Sequence, residues 1–182
     1  MTPSPRIETA SSPEALASCA AAFIAQRIAQ AHGRFALCLS GGSTPRPVYE
    51  RLGAAEALAP QDWERVHLFW GDERYVPQGH RDSNFRMAQE ALLGRLAIPP
   101  AQVHPVPTEC ATPQEAAASY EAALQSFYGA DTLDPARPLF DMTLLGLGED
   151  GHIASLFPGT AALGERRAWV TAVLGARPEP RI

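Results

Sequence analysis

Asp150, Gly151 and His152 set a carboxylate and an imidazole two residues apart, on a segment already loosened by Gly146 and Gly148. An imidazole titrates near neutral pH, and a nearby carboxylate can hold one ring nitrogen while the other faces a ligand. That arrangement suits proton transfer. Earlier in the chain, Ser40-Gly41-Gly42-Ser43-Thr44-Pro45 offers the bare amides of Gly41 and Gly42 and the hydroxyls of Ser43 and Thr44, just before a helix opened by Pro45. Free N–H groups at a helix start suit an anion such as phosphate. Between them lies Gly71-Asp72-Glu73-Arg74, where Arg74 can pin a second anionic or hydroxyl group and Asp72 can orient water or a sugar hydroxyl. An anion holder combined with an acid/base pair points to an enzyme acting on a phosphorylated small molecule.

Each of these segments also has a plainer reading. Gly-Gly marks tight turns, an Asp-Glu-Arg loop is commonly a solvated ion pair, and a lone histidine is commonly structural. His32, His67, His80 and His104 take that structural reading, and Glu149 is expected to be exposed. The three loops are set apart by position, since each directly follows an apolar strand. Strands are expected at Arg34–Ser40, Val66–Trp70, Val103–Val106, Phe140–Leu145 and Trp169–Leu174.

Helical segments alternate with these strands. After a short Pro/Ser-rich start, Ser12-Pro13 opens a helix with Leu16, Ala20, Phe23, Ile24 and Ile28 on one face and His32-Gly33 as its stop. Pro45 starts a short helix through Val48, Tyr49 and Leu52, and Ser83 caps one through Phe85, Ala88, Leu92 and Leu96. Thr112 to Glu115 is a capping box, with Ala116, Tyr120, Leu124 and Phe127 facing inward. Alternating apolar strands and amphipathic helices predict an α/β fold with a parallel sheet covered on both faces. Ligands in such sheets bind at the carboxyl ends of the strands, so the loops at 40–46, 71–84 and 146–158 are expected at one edge.

Composition removes several function classes. At 182 residues the chain fits one domain with a substantial core, and a net charge of −5 argues against a nucleic-acid groove. All 15 basic residues are arginine, which excludes a Schiff-base lysine and a P-loop Gly-Lys step. Cys19, Cys38 and Cys110 are too widely spaced for a metal cluster, and Cys38 is expected to be a small buried hydrophobe. There is no Gly-x-Ser-x-Gly elbow to support a covalent serine mechanism. No apolar run reaches membrane-spanning length, so a cytoplasmic location away from membranes is expected.

Three ordered segments together resemble the 6-phosphogluconolactonase family: Leu39 to Pro45, Phe69 to Pro77 with Asp82-Ser83-Asn84, and Leu145 to Gly159. The resemblance implies a three-layer α/β/α fold with a mostly parallel central sheet, like that of glucosamine-6-phosphate deaminase and ribose-5-phosphate isomerase. It implies hydrolysis of 6-phospho-D-glucono-1,5-lactone to 6-phosphogluconate, in the oxidative pentose phosphate pathway, with no metal or organic cofactor. On that reading His152 is general base and then acid, and Asp150 holds its tautomer. Gly41, Gly42, Ser43 and Thr44 take the 6-phosphate, Asp72 and Arg74 complete the pocket, and Arg181 matches an arginine near the phosphate. Family members continue past the Arg181-Ile182 pair with further strands and a closing helix. The single catalytic domain at 1–182 is therefore expected to be C-terminally truncated.

Two other enzyme and non-enzyme readings are weaker. Glucosamine-6-phosphate deaminases share the Asp-Gly-His-Ile-Ala run but follow it with Phe-Asn-Glu-Pro, whereas here Phe157 occupies the position of that glutamate. A sugar-phosphate sensor of the same fold would carry a DNA-binding helix pair, and residues 1–33 offer one helix and no basic recognition segment. An inactive, shortened lactonase is the remaining alternative.

Overall fold

Five consecutive apolar residues, Phe35–Leu39, form β1, and all five are buried. Such a run suits a central strand covered on both faces. β2 (Val66–Trp70) pairs parallel to it, with Phe35 opposite Val66 and Leu39 opposite Trp70. β3 (Val103–His104) lies beyond β2, and β4 (Met142–Thr143) lies beyond β1. The sheet order is β3-β2-β1-β4, and every pairing is parallel. This computed structural model describes residues 5–54 and 57–182, and the first part of the expected Pro/Ser-rich start, residues 1–4, lies outside the described residues.

The helix boundaries follow their capping chemistry. α1 (Pro13–Gln30) starts where the Ser12 hydroxyl accepts from the Ala15 amide at 3.2 Å, with Pro13 in its first turn. α2 (Arg46–Leu52) and the short α3 (Pro60–Trp63) follow β1. The Ser83 hydroxyl caps α4 (Asn84–Ala91), accepting from the Arg86 amide at 3.2 Å. Thr112 caps α5 (Pro113–Tyr128), accepting from the Glu115 amide at 3.1 Å, while the Glu115 carboxylate accepts from the Ala111 amide at 3.2 Å. This is a capping box closed one residue upstream of its usual place. Gly129, at φ 80°, ends α5 in the left-handed conformation.

Neighbouring residues of β2 point to opposite faces and show the two helical layers. Phe69 packs on Phe127 of α5, with ring centroids 4.7 Å apart, and Trp70 packs on Phe85 of α4 at 5.4 Å. α2 packs against both α1 and α4, so α1, α2 and α4 form one layer and α5 the other. The architecture is three-layer α/β/α. On the α5 face, Nδ1 of His67 and Nε2 of His104 lie 3.0 Å apart beside Phe127, and burial pushes both imidazoles below their ordinary value. Cys38 is buried in β1, where burial and then Asp72 push its thiol up to about 12. Among the described residues, no helix is long and apolar enough to cross a membrane.

The structure corrects several expected elements. The fifth strand is absent: the amides of Trp169 and Val170 donate to the Glu121 carboxylate of α5, at 3.1 and 3.3 Å, rather than to a neighbouring strand. Only Val173 of that segment pairs, and it does so antiparallel with Arg181. The fourth strand is reduced to Met142–Thr143, although the Asp141 and Leu144 amides still donate to Ala36 and Cys38 of β1. The third shrinks to Val103–His104. α4 stops at Ala91, and a 3-10 turn at Leu93–Arg95 carries the chain on toward Leu96.

The buried face of α1 is also rotated from the expected one. Ala17, Ala21, Ile24, Ala25 and Ile28 face the core, whereas Leu16 and Phe23 are 45% and 51% exposed. The buried face is built mainly of small residues, and Leu16 and Phe23 instead line a surface pocket with Arg6, Glu8, Thr9 and Ala10.

Candidate functional site

The carboxyl ends of β1, β2 and β4 open onto a cavity of about 630 Å3. Gly41, Gly42, Ser43, Thr44, Asp72, Arg74, His152 and Arg181 all line it. The parallel sheet brings the three loops together at one edge. Asp150 is the one expected site residue outside the lining, and it sits behind the His152 ring.

Two tyrosines complete the strand ends that launch the first two loops. The Tyr49 hydroxyl of α2 donates to the Ser40 carbonyl at 2.8 Å and accepts from the Ser40 amide at 2.9 Å. The Tyr120 hydroxyl of α5 does the same for Trp70, at 3.0 and 2.9 Å. Both are buried, so each satisfies backbone groups that would otherwise lack partners beyond the sheet.

The glycines of the first loop have different jobs. Gly42 holds φ 99°, a backbone conformation that side chains disfavour. Gly41 is required for contact: a Cβ there would lie 1.9 Å from Oδ1 of Asn84. Ser43 and Thr44 are exposed, and no side chain caps α2, so their hydroxyls are not consumed by the helix.

The second loop is organised by Glu73, whose sequence context marks it only as one acid of an Asp-Glu-Arg loop. Glu73 is buried, and its carboxylate accepts from the amides of Arg74, Asn84 and Phe85 at 2.8, 2.7 and 2.8 Å and from the Ser83 hydroxyl at 3.2 Å. Burial pushes this carboxyl above its ordinary value, while these bonds pull it back. Glu73 thereby fixes the start of α4. There, Nδ2 of Asn84 donates to the Asp72 carbonyl at 2.9 Å. The Glu73 backbone also exchanges two hydrogen bonds with Ile182, at 2.8 and 3.0 Å.

That exchange brings Arg181 alongside Arg74 in an antiparallel bridge. Arg74 donates to the Asp82 carbonyl at 2.6 Å, and Arg181 is anchored by two backbone bonds to Val173 at 2.8 and 2.9 Å. Burial and then the neighbouring Arg74 charge push the Arg181 guanidinium below its ordinary value. Arg74, Arg177 and Arg181 line the cavity with Asp72, so this region of a chain of net charge −5 is locally positive. An anion is the ligand that such a wall complements.

In the third loop, Nδ1 of His152 contacts Oδ1 of Asp150. The pair with His152 and then Arg177 holds the Asp150 carboxyl well below the usual carboxylate range. With Nδ1 engaged, Nε2 is the nitrogen left for a ligand. The imidazole lies on Gly148, where a Cβ would come within 2.1 Å of the ring, and on Phe157, at 4.7 Å between centroids. Ala154 holds φ 50° next to buried Ser155, whose hydroxyl donates to Oδ2 of Asp72 at 2.6 Å. That bond ties the third loop to the second. Glu149 is exposed, as expected.

Asn84, Ser155, Phe157 and Arg177 were not assigned to the site from sequence. The first three stand inside motifs quoted above, but their neighbours come from distant segments. No local spacing marks Arg177.

Fold and cavity define a parallel α/β protein with a positively lined cavity and a carboxylate-held histidine at its wall. The chain belongs to the glucosamine-6-phosphate isomerase/6-phosphogluconolactonase family, whose sequence profile matches residues 11–182. It is 49% identical over 145 residues to a 6-phosphogluconolactonase of Synechocystis sp., covering 80% of this chain and 58% of that protein. A 6-phosphogluconolactonase of Nostoc sp. is 48% identical over 139 residues, covering 76% and 55%. The structure of 6-phosphogluconolactonase from Trypanosoma cruzi superposes with a TM-score of 0.84 at 30% identity, covering 100% of this chain and 74% of that one. The chain thus spans a little over half the length of the two bacterial relatives.

Proposed function

We propose that this protein is a carboxylic ester hydrolase that converts 6-phospho-D-glucono-1,5-lactone to 6-phospho-D-gluconate, the lactone-opening step of the oxidative pentose phosphate pathway. The observation that carries the reading is that one cavity holds both His152 and the anion-facing set of Ser43, Thr44, Arg74 and Arg181. The relatives named above support the choice of substrate.

In this mechanism Nε2 of His152 takes a proton from a water as that water attacks the C1 carbonyl. The tetrahedral adduct then collapses with cleavage of the bond between C1 and the ring oxygen, and the imidazolium returns its proton to that oxygen. Asp150 holds the reactive tautomer through Nδ1. The loop from Gly41 to Thr44, with Arg74 and Arg181, holds the 6-phosphate, and Asp72 orients water or a sugar hydroxyl. Binding at the remote phosphate keeps the carbonyl near the base. The same reading places the reaction in the cytoplasm, with a free sugar phosphate as the partner.

Ligand protection tests the phosphate site directly. 6-Phosphogluconate is expected to raise the melting temperature, rising with the logarithm of its concentration above the dissociation constant, and inorganic phosphate should do so more weakly. Gluconate, lacking the phosphate, should protect far less. Equal protection by gluconate and 6-phosphogluconate would remove the Gly41–Thr44 loop from the site.

A further inference from the structure

Arg177 sits on the loop between Val173 and Arg181, which is closed at its base by the two backbone hydrogen bonds that also anchor Arg181. Its Nη2 donates to Oδ2 of Asp150 at 2.9 Å, while the other oxygen of that carboxylate meets Nδ1 of His152. The guanidinium carbon lies 4.5 Å from the centroid of the Phe157 ring, the same ring that carries the imidazole. Phe157 is 5% exposed and is therefore a fixed floor under both groups. A carboxylate forked between a guanidinium and an imidazole loses the freedom to rotate away from either.

We propose that Arg177 is a positioning residue of this site: it holds the far oxygen of Asp150, so that the near oxygen stays on Nδ1 of His152, and it sets a positive charge beside the imidazole. The proposal rests on the reading of His152 as the base. The charged groups around the imidazole are Asp150 behind it, Arg177 on the neighbouring loop, and Asp72, Arg74 and Arg181 on the walls of the same cavity. Of the three guanidiniums, Arg177 is the one bonded to the carboxylate that orients the ring.

The sign of the effect follows from charge. A nearby cation disfavours a second positive charge on the imidazole, so removing it makes the ring easier to protonate. Protonated imidazole cannot act as the base. In Arg177→Gln the acid limb of the pH profile of kcat/KM should therefore move up by about half a pH unit or more, a size set by a partly exposed charge under salt screening. On the acid limb kcat should fall about two- to threefold for a half-unit shift, whereas KM should change little. Arg177→Lys retains the charge and should restore most of the wild-type profile.

The experiment pairs this profile with an NMR titration of the His152 ring protons in the ligand-free chain, their resonances assigned by comparison with His152→Ala. The titration midpoint should rise in Arg177→Gln and return toward wild type in Arg177→Lys. Equal midpoints in all three proteins would overturn the proposal, as would a raised KM with an unmoved pH profile, which marks a substrate-binding arginine. Because the titration needs no turnover, a wild-type chain without lactonase activity but with the shifted midpoint would refute the proposed function and leave the positioning role standing.

Discussion

His152→Ala is expected to lower turnover of the phosphorylated lactone roughly a hundred- to ten-thousand-fold, the range for a general acid–base group. The background to subtract is the lactone's own opening in water. The fold should survive, because the ring is a partly exposed wall of the cavity and its removal leaves the Ser155–Asp72 tie untouched. Substrate binding should also survive, since Ser43, Thr44, Arg74 and Arg181 belong to other segments of the wall. The signature is a fall in kcat with little change in KM and in melting temperature. A variant with wild-type kcat would remove His152 from the chemistry.

Glu73→Ala should produce the largest loss of stability, about 3 kcal/mol or more. The substitution strips the acceptor from three backbone amides and one hydroxyl near a buried helix start, and each stranded donor costs about 1–3 kcal/mol unless water reaches it. Domain stability is only about 5–15 kcal/mol in total, so the loss should be obvious in a denaturant titration. The burial cost of the carboxylate itself is recovered, which keeps the net effect below the sum of the four bonds. Glu73→Gln retains one acceptor oxygen and should fall between wild type and alanine. A Glu73→Ala chain as stable as wild type would show that the α4 start does not depend on this carboxylate.

Much of this architecture was legible in the sequence because it depends on local chemistry. The apolar runs at Phe35–Leu39 and Val66–Trp70 can sit only in a sheet covered on both faces, and Ser83 and Thr112 announce their helices through capping geometry. The gathering of three loops at one edge followed from parallel strands alone. What the sequence could not show depends on partners far along the chain. Trp169 to Leu174 has a strand's composition, but Glu121 captures the amides of Trp169 and Val170, and Val173 turns to Arg181. Glu73 looks like a surface acid until α4 folds back over it. Gly41 reads as a turn residue, and its real constraint is the Asn84 side chain lying on it. Arg177 carries no motif at all; only the loop closed by Val173 and Arg181 brings it to Asp150. Phe157, which stands where a deaminase has its glutamate, is the floor beneath the histidine.

In the proposed function a phosphate-holding wall and a proton-transfer histidine share one cavity, so a comparison of two substrates on the same protein tests both at once. Initial rates should be measured for 6-phospho-D-glucono-1,5-lactone and for D-glucono-1,5-lactone, each corrected for spontaneous opening. Clear acceleration of the phosphorylated lactone is expected, with a kcat/KM at least about a hundredfold lower for the unphosphorylated one, because remote phosphate binding positions the carbonyl at His152. Equal kcat/KM for the two lactones, or no acceleration of either above the rate in water, would contradict the proposed function.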